Sequence, residues 1–156
     1  MELPSLFTNS KDANLTSTVA VIEAVLEQLG HDAFRARVTR PGARRAWTFT
    51  KGSAEVHIDI LERKDFLHLR VSSPIMTTDS ADRSRLYERL LELNADHVVG
   101  AAFAIRNGEV LVIAERSTLD LDLSEAADLI RRVEDYADRY DDELCAAFGG
   151  HRGPRR

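Results

Sequence analysis

The chain holds one cysteine, four prolines and one tryptophan in 156 residues. With Cys145 alone, no internal disulfide can form. The Cys-x-x-Cys, His-Glu-x-x-His and Gly-x-Ser-x-Gly patterns are missing, which removes the commonest sequence signs of redox, zinc-protease and serine-hydrolase chemistry. No glycine-rich loop joins a strand to a helix: Gly30, Gly42, Gly52, Gly100 and Gly108 stand apart, so a phosphate cradle is not expected. No apolar run reaches bilayer length. The N-terminal segment lacks the basic-then-apolar order of a secretion signal. These absences predict a cytoplasmic protein. Lysine is scarce as well, at 3 against 18 arginines, a bias that points to no function by itself.

The length suits one domain with one good core. Apolar content of 44% and charged content of 30% describe a globular chain. The net charge of −5 argues against a dedicated nucleic-acid binder while leaving room for a local basic patch. Residues 1–78 carry 10 basic and 9 acidic side chains, and residues 79–156 carry 11 and 17.

Residues 1–15 read as an N-terminal arm pinned by Leu6 and Phe7. Val19, Ile22, Leu26 and Leu29 then form a helical stripe, with Thr16 or Ser17 as cap and Gly30 as stop. Strand candidates follow at 34–39 and 46–50, separated by a Pro41-Gly42 turn. Val56, Ile58 and Ile60 alternate with polar residues, as do Leu67, Leu69 and Val71. Pairing like with like sets Val56 opposite Val71, Ile58 opposite Leu69 and Ile60 opposite Leu67, across a link at 62–65. A second helix is expected from about Ser80 to Leu93, with Leu86, Leu90 and Leu93 as its stripe, Asp79 as cap and Asn94 as stop. The last helix opens at Asp122-Leu-Ser-Glu125, a capping-box spacing, and ends at Gly149-Gly150. Its stripe is Ile130, Val133, Ala137, Tyr140, Leu144 and Ala147; Glu134, Asp135, Asp138, Asp141 and Asp142 fall on the opposite, solvent side. The fold class is α+β: an antiparallel sheet of five to six strands with three helices. Residues 16–149 make a single domain and 150–156 a flexible basic tail.

Residues 79–149 are the most informative part of the chain and read helix, hairpin, helix, with the hairpin at 101–114. Asn107-Gly108 is a strong hairpin turn signal. Arg106 then faces Glu109 beside the turn, and Ile105 pairs with Val110, Phe103 with Val112 and Ala101 with Ala114 on one face. On the other, Ala104 pairs with Leu111 and Ala102 with Ile113. A strand pair wet on one side alternates apolar and polar; this one is apolar on both, so its second face is to be closed by a partner or a sister subunit.

Two groups of side chains invite a chemical reading. His57, Asp59, His68 and Arg70 could begin an acid–base or metal site, but neither a nucleophile nor a third ligand accompanies them, and charged cross-strand pairs commonly serve solubility. Arg35, Arg37, Arg40, Arg44, Arg45 and Lys51 surround Trp47 and Phe49. Basic groups with aromatics can bind single-stranded nucleic acid. An edge hairpin with core aromatics gives the same pattern, and the acidic balance of the chain favours that version. The acidic run 135–143 lacks the spacing and glycine of a calcium loop, and Cys145 reads as a small helix residue.

With Leu90-Leu-Glu-Leu-Asn-Ala95, Gly100-Ala-Ala-Phe-Ala-Ile105 and Asp138-Arg-Tyr-Asp-Asp-Glu-Leu144 in this order of elements, the chain resembles the YbjN family. That family is similar in fold to the small acidic chaperones of type III secretion systems. The resemblance covers about residues 17–149 and is clearest from residue 86 onward. It implies a type III secretion chaperone-like α+β fold, no catalytic apparatus, a homodimer and binding to segments of other proteins; no cofactor or bound metal is expected. The expectation is therefore a non-enzymatic chaperone-like or adaptor homodimer, the alternative being a nucleic-acid-associated protein that uses the basic strands. Arg44, Arg45 and Trp47 are the candidate partner contacts; Leu86, Leu90, Leu93, Leu111 and Ile113 are the candidate dimer contacts.

Overall fold

The computed structural model describes residues 6–79 and 82–153. Helix α1 (Leu6–Gln28) leads through a single helical turn, α2 (Ala33–Ala36), into the two-residue strand β1 (Arg37–Val38). A meander follows: β2 (Ala43–Lys51), β3 (Ala54–Arg63) and β4 (Phe66–Thr77). Then come α3 (Arg83–Asp96), the hairpin β5 (Ala102–Arg106) and β6 (Glu109–Ser117), and the long helix α4 (Leu123–Phe148). The strands form one six-stranded antiparallel sheet in the order β1-β2-β3-β4-β6-β5. The hairpin thus arrives with β6 against β4 and leaves β5 at the far edge. The α+β class, the antiparallel sheet and the three long helices are as expected from the sequence; α2 is an additional short one.

Helices α1 and α4 lie against one face of the sheet and against each other. Ile22, Val25 and Leu26 of α1 and Ile130, Val133, Ala137 and Leu144 of α4 share one buried cluster with Val56, Ile58, Ile60, Leu69, Val71, Val112 and Ala114. The stripes stepping by three and four residues converge on strand positions stepping by two, so one face of each element is dry. Asp122 and Glu125 form the complete capping box at the start of α4, and Gly149 closes its end with φ of 75°. Gly30 ends α1 with φ of 84°.

The β5–β6 hairpin matches the expected register at the five pairs from Ala102↔Ile113 to Arg106↔Glu109. Asn107 and Gly108 both have positive φ, 53° and 79°. Ala101 lies just outside β5, so its pairing with Ala114 does not form.

Several expectations need correction. Helix α1 starts at Leu6, so the residues read as an arm are mostly helical, and Thr16 and Ser17 bond back to Asp12 and Asn14 rather than cap. The anchoring of Leu6 and Phe7 lies outside the described residues. Residues 33–36 form a helical turn because the Asp32 carboxylate caps the Arg35 amide; only Arg37 and Val38 of the expected strand are extended. The β3–β4 register is displaced by two residues, with Ile58↔Val71, Ile60↔Leu69 and Arg63↔Phe66. The turn is the two residues Lys64-Asp65, with Lys64 at φ of 54°, rather than a four-residue link. Helix α3 is capped by Asp82, not Asp79, and runs past Asn94 to Asp96. Asn94 is instead a clamp: its amide donates to the Phe103 carbonyl and accepts from the Phe103 amide. Finally, residues 151–153 are docked rather than loose, because Arg152 bridges Met76 of β4. Residues 154–156 lie outside the described residues.

Candidate functional site

The outer side of α1 borders the start of β2 and the turn between β3 and β4. A cleft of about 800 Å³ opens there, lined by α1 residues Ser10, Lys11, Asp12 and Asn14 and by Arg44, Phe66, Leu67 and Leu119. Its floor is apolar: Phe66 is 55% exposed and Leu119 52%. Its rim is charged. Glu62 accepts from Lys11 and Arg44 at 2.5 and 2.6 Å, and these two cations hold its carboxyl below the usual range. Asn14 and Thr118 fasten the N-terminal half of α1 to the end of β6, through Thr118 Oγ1 to Asn14 Oδ1 at 2.5 Å and Asn14 Nδ2 to the Thr118 carbonyl at 3.2 Å. The cleft therefore has a fixed wall.

Two turns further along α1 a second, smaller groove lies between Val19 and Glu23 and the residues Arg37, Val38, Arg45, Ala46 and Trp47. Phe34 on α2 is 76% exposed and Val38 on β1 is also open to solvent. Strand β1 has only two residues, so most of the outer edge of β2 has no neighbouring strand. Unpaired strand edges accept further strands, and exposed apolar side chains alongside give such an addition its choice of sequence. Glu23 anchors this wall. It accepts from Arg37 at 2.6 and 2.8 Å and from the Trp47 indole at 3.4 Å; the Arg37 bond is the chief reason its carboxyl sits below the ordinary value.

The candidate partner contacts divide accordingly. Arg44 and Arg45 are exposed at the rim between the two grooves. Trp47 is only 1% exposed and belongs to the core, so it is corrected from a surface contact to a wall residue whose indole nitrogen donates to Glu23. The candidate dimer contacts also need correction. Leu86, Leu90 and Leu93 are buried inside this one chain, because α3 turns its stripe toward β5 and α4. Leu111 is buried among its sheet neighbours, and Ile113 is half-buried. On the second side of α3, Tyr87 and Leu91, one turn apart, widen the apolar stripe and are exposed, as are Val99 and Ile105 near the β5 edge. The reverse face of the hairpin leaves Ala102 exposed and Ala104 and Ile113 half-covered.

The polar residues of the outer sheet face are spent on structural pairs. Asp59 accepts from Arg40, which also reaches Thr48 at 2.6 Å. His57 contacts Glu55 at 2.5 Å. Glu115 gathers Arg63, Arg70 at 2.7 Å and His68 at 3.5 Å. Burial pushes the Glu115 carboxyl up, but the Arg63 and Arg70 hydrogen bonds outweigh it and the net shift is downward. Among the described residues no group of three or more His, Cys, Asp or Glu side chains is placed to hold a metal ion. Burial, with Asp141 nearby, pushes the Cys145 thiol up, away from a reactive thiolate. The basic strand region is likewise balanced: Arg35 meets Asp32, Arg37 meets Glu23, Arg40 meets Asp59 and Arg44 meets Glu62. On α4 the expectation of a fully solvated acidic face fails for Glu134 and Asp141. Both are buried, since the β2–β3 turn brings Lys51 to Glu134 at 2.5 Å and Ser53 to Asp141 at 3.3 Å. Among the described residues no helix is long and apolar enough to cross a membrane.

The family profile TY-Chap1, described as "T3SS (YopN, CesT) and YbjN peptide-binding chaperone 1", matches residues 16–154. No curated protein matches the chain. Among solved structures the chain is similar to the ExsC–ExsE complex, at 14% identity and a TM-score of 0.66 over 85% of this chain and 96% of that one. It is also similar to the HopA1–SchA chaperone–effector complex, at 8% identity and a TM-score of 0.60 over 83% of this chain and 96% of the other. A third likeness is to the ExoU–SpcU complex from the type III secretion system of Pseudomonas aeruginosa, at 15% identity and a TM-score of 0.56 over 78% and 95%. At these identities the likeness is one of fold.

Proposed function

The chain belongs to the TY-Chap1 family of peptide-binding chaperones, and from that premise we propose that it is a non-enzymatic adaptor that works as a homodimer and holds an extended segment of another protein. The observation that carries this reading is the pair of grooves along α1. Each sets an apolar floor beside charged groups, and the β2 edge between them is largely unpaired. An extended segment seated there would place apolar side chains on Phe66 and Leu119 at one end and on Phe34 and Val38 at the other. Arg44 and Arg45 would meet acidic residues of the client. Charge at such a rim speeds encounter more than it tightens the complex. The HopA1–SchA neighbour is a chaperone–effector complex, which supports a protein client for this chain as well.

The homodimer surface in this reading is the outer side of α3, Tyr87 and Leu91, together with Ile105 and the reverse face of the hairpin around Ala102 and Ile113. An exposed apolar helix side beside an edge strand is the sort of surface that soluble chains bury against another copy. The alternative of nucleic-acid binding draws little support, because four of the five arginines from Arg35 to Arg45 already face carboxylates. The test is capture from native extract in the presence of nuclease, comparing the wild type with an Arg44→Glu, Arg45→Glu variant. A protein client that survives nuclease and weakens in the variant is the expected result. Capture that vanishes with nuclease, with the pure protein retaining single strands in a salt-dependent way, would replace the adaptor reading by the nucleic-acid one.

A further inference from the structure

The segment after α4 behaves as a strand. Gly149 and Gly150 reverse the chain, and residues 151–153 then run antiparallel to Ile75–Thr77 of β4. The Thr77 amide donates to the His151 carbonyl at 2.8 Å, the Gly153 amide donates to the Ile75 carbonyl at 3.1 Å, and the His151 amide donates to Thr77 Oγ1 at 3.3 Å. This stretch of β4 pairs with β6 on its other side, while the ladder with β3 ends at His57↔Ser72. The added segment therefore takes the place that β3 vacates. Between it and the start of β3 remains a cavity of about 440 Å³, lined in part by Ser53, Glu55, Ile75 and Asp141.

Side chains as well as backbone select the occupant. Gly150 has φ of 100°, and a Cβ there would lie 2.3 Å from the Thr77 carbonyl oxygen, so only glycine passes that point. Arg152 pairs with Asp142 and reaches Asp141 at 3.9 Å. Gly153 again has positive φ, 76°. Backbone pairing at a vacated edge, a steric filter for glycine and a two-carboxylate receiver for arginine are the components of a strand-addition site.

We propose that the β4 edge at Ile75–Thr77, with Asp141 and Asp142, is a second peptide-acceptor site, selective for an extended Gly-x-Arg-Gly segment of a protein partner, and that residues 150–153 occupy it in cis. A segment joined to α4 through Gly149 alone competes at an effective concentration in the millimolar range, so a partner enters only when its own affinity or tethering exceeds that. The site shares no residue with the grooves along α1, and the outcome of its test leaves the reading of those grooves unaffected.

The test uses the full chain and a fluorescent peptide, Gly-Gly-His-Arg-Gly, the sequence of residues 149–153. In Gly150→Val the internal segment cannot dock, and in Arg152→Glu its receiver repels it; circular dichroism confirms that each variant is folded. Fluorescence anisotropy should show at least about tenfold tighter peptide binding to either variant than to the wild type, the gain set by removal of the tethered competitor. The Thr77 amide should exchange faster in the variants and slow again with peptide, and a peptide with glutamate in place of arginine should not bind. If folded variants bind the peptide no better than the wild type, or take both peptides equally, the proposal is overturned. Two variants that release the segment by different means keep the test decisive should one of them not fold.

Discussion

Lys51→Met should destabilise the fold through a residue it does not itself bury. Glu134 is 3% exposed, and its Oε1 has no hydrogen-bond partner among the described residues. Its other oxygen is held by Lys51 Nζ at 2.5 Å, and this bond chiefly accounts for the raised pKa of Lys51. Removing one partner of a fully buried pair costs about 3–5 kcal/mol, because the remaining charge is stranded. Here the lysine side chain is 54% exposed, so water can approach the vacated oxygen and the cost falls to about 1–3 kcal/mol, that of a buried acceptor losing its bond. At about 2–4 °C per kcal/mol for a domain of this size, the melting temperature should drop by roughly 4–8 °C for a loss near 2 kcal/mol. The double variant Lys51→Met, Glu134→Leu removes charge and partner together, and should recover most of the loss or exceed the wild type. Calorimetric melts of the two single variants and the double complete a cycle. A wild-type midpoint for Lys51→Met, or a double variant as unstable as the lysine variant alone, would show that the stranded carboxylate is not the origin of the effect.

Gly108→Val forces a β-branched residue to φ of 79° in the β5–β6 turn and should cost at least about 1–2 kcal/mol, seen as a lowered thermal midpoint. Leu91→Glu places a charge on the outer side of α3, where the leucine is 69% exposed; light scattering coupled to size exclusion should show the mass fall from twice 17.5 kDa to 17.5 kDa while the melt of the fold is kept. Glu115 has its carboxyl depressed below the unfolded value by Arg63 and Arg70, so its contribution is present above about pH 4.3 and is lost as pH falls through the lower folded value. Glu115→Gln should therefore lower the melting temperature at pH 7, and the gap to the wild type should narrow as the pH falls below the ordinary glutamate range.

What the sequence made legible follows from how strictly each residue constrains its neighbours. Asn107-Gly108 admits one tight turn, so the hairpin register could be read pair by pair. At β3–β4 the alternation of Val56, Ile58 and Ile60 fixed only the parity: a slip of two residues keeps every apolar side chain on the core side, and the Lys64-Asp65 turn carries no comparable glycine signal. Leu86, Leu90 and Leu93 correctly announced a buried helix side, but a stripe does not say whether it is covered from within the chain or by another copy. Trp47 was misplaced for the same reason, since an aromatic among arginines on one strand can point either way. Asp32 was the overlooked cue, a cap that begins the turn at Ala33 where a strand was expected. The grooves along α1 were hidden because they assemble from residues as distant as Ser10 and Leu119.

The strand order also sets a timetable. Strand β6 lies between β4 and β5 and joins residues as far apart in the chain as His68 and Ser117. On a ribosome, where the N-terminal part emerges first, the β2–β4 meander can zip up by local turns long before β6 exists. Until then the β4 edge is open along its length, and Ile58, Ile60, Leu69 and Val71 have α1 but not α4 above them. A nascent chain folding in that order is a half-roofed sheet with a bare margin until β6 emerges, and a bare strand edge is where neighbouring chains can pair wrongly. The sheet is complete only when β6 fills the margin and α4, capped at Asp122, lays down the rest of the roof.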